Sequence, residues 1–142
     1  MFKKIILTAA LLGAASAPAL AHDYTAKIDG FRQSLTTQEN RLRNMACKDG
    51  KQDMCAAANS VRAANIILAM IPADASNHEV LECLELVTVV LISVLDEYAL
   101  KGQFEGLNEK ESAEASKALT EVQHTDGWMF MLMADIQKSE GK

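Results

Sequence analysis

Residues 81–100, LECLELVTVVLISVLDEYAL, form the most continuously apolar run of the chain outside its N-terminus. Wound as a helix, this run places apolar side chains on one stripe at alternating spacings of four and three residues. The stripe consists of Val80, Leu84, Val87, Leu91, Val94 and Tyr98, widened by Leu81, Thr88, Ile92 and Leu95 on one side and by Cys83 and Val90 on the other. An apolar face this wide predicts the central helix of a core.

The flanks of the run favour a helix, although its β-branched residues 87–90 would also suit a buried strand. Ser76 precedes Glu79 by three residues, which is the spacing of a capping box at a helix start. Lys101 and Gly102 follow the run and supply a cation and a residue that tolerates a left-handed turn. We therefore predict one helix between these signals.

Three further segments repeat apolar residues at the same spacing, and each has its own boundary signals. The stripes are Tyr24, Ile28, Phe31, Leu35, Gln38, Leu42 and Met45 in the first segment, Met54, Ala57, Val61, Ala64, Leu68 and Ile71 in the second, and Ala115, Leu119, Val122, Asp126, Met129, Met133 and Ile136 in the last. Asp23, Asp53 and Asn108 can cap the starts of these helices, and Pro72 ends the second.

The last predicted helix carries an interruption. Asp126 falls on its apolar stripe, and Gly127, a weak helix former, follows at once. We expect a kink near Gly127 or a restart near Thr125. Short linkers join the four segments, which predicts an all-α, antiparallel up-down-up-down four-helix bundle.

The first residues are typical of an export signal, with two lysines, the apolar run 5–15 and a small-x-small motif, Ala-Leu-Ala. Cleavage after this motif would divide the chain into a signal peptide, residues 1–21, and a single helical-bundle domain, residues 22–142. We therefore predict a periplasmic or secreted protein. We predict no membrane span after cleavage, because Glu85 and Asp96 bracket an uncharged run that is too short.

The charge of the predicted mature chain is unevenly distributed. The whole chain has a formal net charge of −5, and loss of the two signal lysines makes it −7. Residues 22–72 hold seven Lys/Arg against five Asp/Glu, whereas residues 73–142 hold five against fourteen. This acidic balance argues against nucleic acid and anionic lipid as partners, which need a basic footprint, and it permits a basic protein partner.

Three cysteines in an exported chain leave one unpaired when two form a disulfide. Cys47 ends the first predicted helix and Cys55 begins the second, so both lie at one end of a hairpin. Cys83 lies on the order of 15 Å further along the bundle, beyond the roughly 7 Å that a disulfide allows between Cα atoms. We predict a Cys47–Cys55 disulfide and a Cys83 that packs as a small hydrophobe.

No catalytic motif is present, and we predict that the protein is not an enzyme. The histidines His22, His78 and His124 lie in no nucleophile elbow, zinc-binding helix or phosphate loop. The pairs of acids have the spacing of solvated helix faces. We accordingly predict no cofactor in the main hypothesis.

A soft-metal site is the alternative hypothesis. Met129, Met131 and Met133 crowd around Trp128 and Phe130, and Cu(I) favours thioether and imidazole ligands. The candidate ligands that the bundle would bring toward one end are His22, Met70, His78 and Met133. A b-type haem held by a Met and a His is a variant of this idea, whereas methionine on an apolar helix face is more often core filler.

The outer face of the central helix is the candidate binding surface. Leu86 and Val89 lie there among acids, and an apolar strip ringed by charge is typical of a surface that binds a partner. We define this acid-rimmed strip as Glu82, Glu85, Leu86, Val89, Ser93, Asp96 and Glu97. It predicts a non-catalytic exported bundle that binds a protein, as an inhibitor, immunity factor, chaperone or secretion accessory would. The competing expectation is that the last helix covers the strip.

Overall fold

The computed structural model describes residues 17–46, 52–98 and 104–141, and these ranges contain four α-helices and no strand. The helices are α1 (Ala17–Ala46), α2 (Gln52–Ala69), α3 (Asn77–Tyr98) and α4 (Glu109–Glu140). Each helix packs on the next, and α4 packs back on α1, so the four helices form a ring around one core. The all-α, four-helix prediction is confirmed. Within the described part of the chain, no helix is long and apolar enough to cross a membrane.

The apolar stripe of α3 is buried as predicted. All six of its residues lie in the core, together with Leu81, Thr88 and Leu95. Ile92 is the exception, since 38% of it is exposed, and Cys83 is half-buried. The stripe of α4 is buried over its whole length, including Asp126, whereas Phe31 and Met45 of α1 are half-buried at the edge of the core.

Both predicted capping boxes are present. At the start of α3 the Ser76 amide donates to a Glu79 carboxylate oxygen at 2.7 Å, and the Glu79 amide donates back to the Ser76 hydroxyl at 3.3 Å. These hydrogen bonds hold the pKa of Glu79 below its ordinary value. At the start of α4 the reciprocal bonds between Asn108 and Glu111 are both 2.9 Å. Each box satisfies amides that a helix start leaves without partners.

Inter-helix hydrogen bonds show how α1 is aligned with α2. Arg43 donates to Asn59 at 3.1 Å, and Asn65 donates to Thr36 at 2.8 Å, so later residues of α1 face earlier residues of α2. This order is the one that an antiparallel hairpin predicts. The complete up-down-up-down order of the bundle stays a prediction.

Helix boundaries differ from the sequence-based expectation at three places. Asp53, expected to cap α2, lies inside that helix, because α2 begins at Gln52. Asp23 lies inside α1, which begins at Ala17, so it does not cap the helix in this chain. Helix α4 continues through Gly127 without interruption, so the expected restart near Thr125 is wrong, while a kink at Gly127 stays a prediction. Packing explains the continuity of α4. Thr125 and Asp126 are buried, and the turns before and after them also pack in the core through Val122 and Met129.

The predicted disulfide and most of the predicted signal peptide lie outside the described residues. Cys47 is among these, so its bond to Cys55 stays a prediction. Cys83 is a free, half-buried thiol, and partial burial together with nearby Glu82 raises its pKa above the ordinary value. Where side chains are described, the core of α1 begins at Tyr24, on the mature side of the predicted cleavage point.

Candidate functional site

The acid-rimmed strip is open to solvent along its whole length. All seven of its residues are exposed. They include two large apolar side chains, since 53% of Leu86 and 64% of Val89 is accessible to solvent. Within the described residues, α4 therefore leaves the strip uncovered.

The burial of the opposite face of α3 fixes the direction of this strip. Leu84, Val87 and Leu91 have no accessible surface, so α3 cannot rotate about its axis without exposing core side chains. The buried Thr88 hydroxyl donates to the Glu85 carbonyl at 2.9 Å, so this polar group on the inner face has a hydrogen-bond partner without water. Leu86 and Val89 consequently remain outward in any arrangement that keeps the core.

The charge of the strip is of one sign. Helix α3 contains no Lys or Arg, and its one histidine, His78, lies 3.3 Å from a Glu82 carboxylate oxygen at the start of the helix. Asp96 and Glu97 lie in the last turn, where the helix dipole disfavours anions by about 0.3 to 1 kcal/mol each. Stability alone would favour cations at these two positions. Helix stability therefore does not explain the acids at these two positions.

A second exposed apolar area lies on α4, where sequence reasoning expected crowded methionines. Met129 and Met133 are buried, whereas 60% of Met131 and 60% of Trp128 are accessible. Residues two positions apart lie on nearly opposite faces of a helix, because two residues advance the helix by about 200°. The structure thus separates the methionines that the sequence places close together.

Two recesses lie beside Trp128 and Met131. One, of about 400 Å³, lies between α1 and α4, and the other, of about 700 Å³, lies on the outer side of α4. Lys27, Gly30, Phe31, Leu132 and Asp135 complete the lining of the first, and Gln123, His124 and Gly127 that of the second. A 2.7 Å hydrogen bond between the Ser34 and Thr125 hydroxyls also joins α1 to α4.

The soft-metal ligands predicted from sequence do not share one environment. Met133 is buried, whereas Met70 and His78 are exposed, and the side chain of His22 lies outside the description. Among the described residues, no three His, Cys, Asp or Glu side chains are placed to hold a metal ion. Copper or haem binding stays a prediction, and no contact in the described residues favours it.

Asp126 is a buried acid that sequence reasoning placed on the core stripe without assigning it a role. Its residue is 6% exposed, and its Oδ1 has no hydrogen-bond partner among the described residues. Burial raises the pKa of this carboxyl from 3.8 to about 6. An acid in this position is a source of instability at neutral pH, and its effect on folding can be measured.

Comparison of the chain with known protein families, curated proteins and solved structures gives no match. The candidate functional features of the bundle are therefore two of its exposed surfaces. These are the acid-rimmed strip on α3 and the area around Trp128 where α1 meets α4.

Proposed function

We propose that the protein is a non-catalytic, exported helical bundle that binds another protein through the acid-rimmed strip of α3. The observation that carries this proposal is the exposure of Leu86 and Val89 within a field of acids. Hydrophobic side chains at the centre and charge at the rim are the usual composition of a specific protein interface. An inhibitor, an immunity factor, a chaperone or a secretion accessory would each work in this way.

The chemistry of the strip defines its partner. Glu82, Glu85, Asp96 and Glu97 surround the apolar pair and are exposed, so a partner with a basic rim would be steered toward them. Leu86 and Val89 lie three residues apart and need a shallow apolar patch opposite them. The proposed partner is therefore a protein with a small apolar patch inside a ring of Lys and Arg.

Export is the second part of the proposal. The described core of α1 starts at Tyr24, so cleavage after residue 21 would remove no described core side chain. The Cys47–Cys55 disulfide would form in the oxidising compartment and close the first hairpin. A mature N-terminus at His22, found by sequencing protein from the periplasm or the medium, would support this part.

Site-specific photo-crosslinking in the native compartment tests the binding proposal. A photoreactive amino acid replaces Val89 in one variant and Ile66 in another, since Ile66 is an apolar residue of α2 with similar exposure, 52%. We expect a discrete crosslinked protein from position 89 and none from position 66. Equal crosslinking from both positions would contradict a specific strip.

Charge substitution then tests the strip itself. Leu86→Asp and Val89→Asp should abolish capture of that protein while leaving the helical circular dichroism signal unchanged, because both side chains are exposed. Ile66→Asp is the matched control and should retain capture. Loss of folding in the α3 variants alone would show that the strip belongs to the core, and the proposal would fail.

A further inference from the structure

The recess between α1 and α4 has the size and lining of a small-molecule site. Its volume is about 400 Å³, within the range of roughly 300 to 1,000 Å³ that is usual for ligand pockets. Four apolar side chains form most of its lining, namely Phe31, Trp128, Met131 and Leu132. Trp128 and Met131 are each 60% exposed, so the recess offers a ligand a large area of unburied apolar surface. It lies on α1 and α4, whereas the acid-rimmed strip lies on α3.

One end of the recess is aromatic. The hydrogen bond between the Ser34 and Thr125 hydroxyls fixes one level that is common to both helices. Phe31 on α1 and Trp128 on α4 each lie three residues from their own bonded hydroxyl, or about 4.5 Å along the helix axis, and both line the recess. The two rings therefore lie at about the same height on opposite walls, where they can enclose an apolar group.

The other end of the recess carries one charge of each sign. Lys27 of α1 and Asp135 of α4 both line it, about 10 Å and about 15 Å along their helices from the level of the inter-helix hydrogen bond. No salt bridge joins either side chain to another described residue. The cation and the acid are therefore both available to a ligand whose own head carries two opposite charges.

Gly30 keeps the recess open between its aromatic and charged ends. It lines the recess on α1, and a Cβ atom built there would meet no atom within 4 Å. Glycine inside a helix is destabilising relative to alanine, and packing within the bundle does not require it here. Any larger residue at this position would place its side chain in the space that the recess now provides.

We propose that this recess binds a small zwitterion with a large apolar side chain, in the class of free leucine or phenylalanine. The apolar side chain packs between Phe31 and Trp128. The ammonium group pairs with Asp135, and the carboxylate pairs with Lys27. A purely apolar ligand would leave both protein charges unpaired, and a singly charged one would leave one of them unpaired. Charge complementarity therefore selects a zwitterion, and the volume of the recess selects a small one.

Titration of the protein with L-leucine tests the site, because Trp128 is the only tryptophan of the chain and reports on it directly. We expect a saturable shift of its emission to shorter wavelength, since the ligand displaces water from the indole, and saturable heat in titration calorimetry. Two analogues are the controls: 4-methylpentanoate lacks the ammonium group, and 3-methylbutylamine lacks the carboxylate. Each should bind about two- to fivefold more weakly than leucine, because Lys27 and Asp135 are exposed and ion pairs at exposed sites are weak.

Substitution of each charge tests its assignment. Lys27→Met should abolish the preference for leucine over 3-methylbutylamine, because the carboxylate then has no cation to meet. Asp135→Asn should abolish the preference for leucine over 4-methylpentanoate, because the ammonium group then has no acid to meet. Each preference should survive the substitution at the other position. Loss of both preferences in one variant, or of neither, would overturn the assignment of the two charges.

Filling the recess tests its position. Gly30→Leu should abolish leucine binding in calorimetry while keeping the helical circular dichroism signal, because its added side chain enters open space. Gly127→Leu is the matched control, since it adds the same side chain to open space in the outer recess of α4, and it should retain binding.

Three results would overturn the proposal. They are the absence of saturable binding of leucine and phenylalanine to the wild type, binding that survives Gly30→Leu, and self-association that Gly30→Leu abolishes, which would assign the recess to a second copy. Leu86→Asp should leave leucine binding intact, so failure of this proposal is distinguishable from failure of the acid-rimmed strip.

Discussion

Replacement of Asp126 by asparagine is expected to stabilise the protein at neutral pH. The carboxyl is buried, and its Oδ1 has no partner among the described residues, so its negative charge is poorly compensated when the protein is folded. Asparagine keeps the shape of the side chain and removes the charge. The substitution therefore isolates the electrostatic contribution of Asp126 from its contribution to packing.

The expected magnitude follows from the pKa of the carboxyl. Folding raises this pKa from 3.8 to about 6, and one pKa unit corresponds to about 1.36 kcal/mol, so the charged form costs about 2 to 3 kcal/mol. Because the folded state holds the proton more tightly than the unfolded state, stability falls as the pH rises from about 4 to about 6. The cost is complete above that range and absent below it.

Urea unfolding followed by circular dichroism at several pH values provides the assay. We expect the free energy of unfolding of Asp126→Asn to exceed that of wild type by about 2 kcal/mol at pH 7, with the difference vanishing near pH 4. Subtracting the two curves removes the effects of other titrating groups, such as the capping carboxylate Glu79 and the exposed histidines. Both proteins are measured at one concentration, because association would add to stability.

Two results would refute the reasoning. Parallel stability curves for the two proteins between pH 4 and 8 would show that the Asp126 carboxyl has an ordinary pKa in the folded state. A variant that is less stable than wild type at pH 7 would show that the carboxylate has a favourable partner. Either outcome would remove Asp126 as a source of instability in the core.

Three further measurements test the fold. Gly127→Ala should raise the free energy of unfolding by about 1 kcal/mol, because the added Cβ meets open space in a continuous helix; a loss of stability would reveal a bend that needs glycine. Asn108→Ala should lower it by about 1 kcal/mol through loss of the α4 capping box, and an unchanged urea midpoint would contradict that role. Peptide mapping of exported, non-reduced protein should find Cys47 joined to Cys55 and Cys83 open to alkylation; a bond from Cys83 to either of the others would exclude the predicted pairing.

Local patterns in the sequence predicted most of the fold. The apolar stripe of α3 and the two capping boxes depend on residues within a few turns of one another, and all are present in the structure. Gly127 shows the limit of this reasoning, because its low helix propensity suggested a break that packing of the neighbouring turns overrides.

The candidate surfaces were predictable only in part. The outward direction of Leu86 and Val89 follows from the phase of α3, but their exposure also depends on where α4 lies, which periodicity does not reveal. The face around Trp128 depends on the contact between α1 and α4, a pairing of residues about 90 positions apart, as in the bond between Ser34 and Thr125.

The ring order of the helices has a consequence for how strongly the molecule would hold a target. Helix α3 packs between α2 and α4 and lies across the core from α1, so the acid-rimmed strip and the exposed face of α1 lie on opposite sides of the bundle. Copies tethered to a surface through α1 would therefore keep their strips free, and such an array would bind a clustered target orders of magnitude more tightly than one strip through effective concentration alone. Lowering the density of tethered copies would then weaken capture without changing the affinity of any single strip.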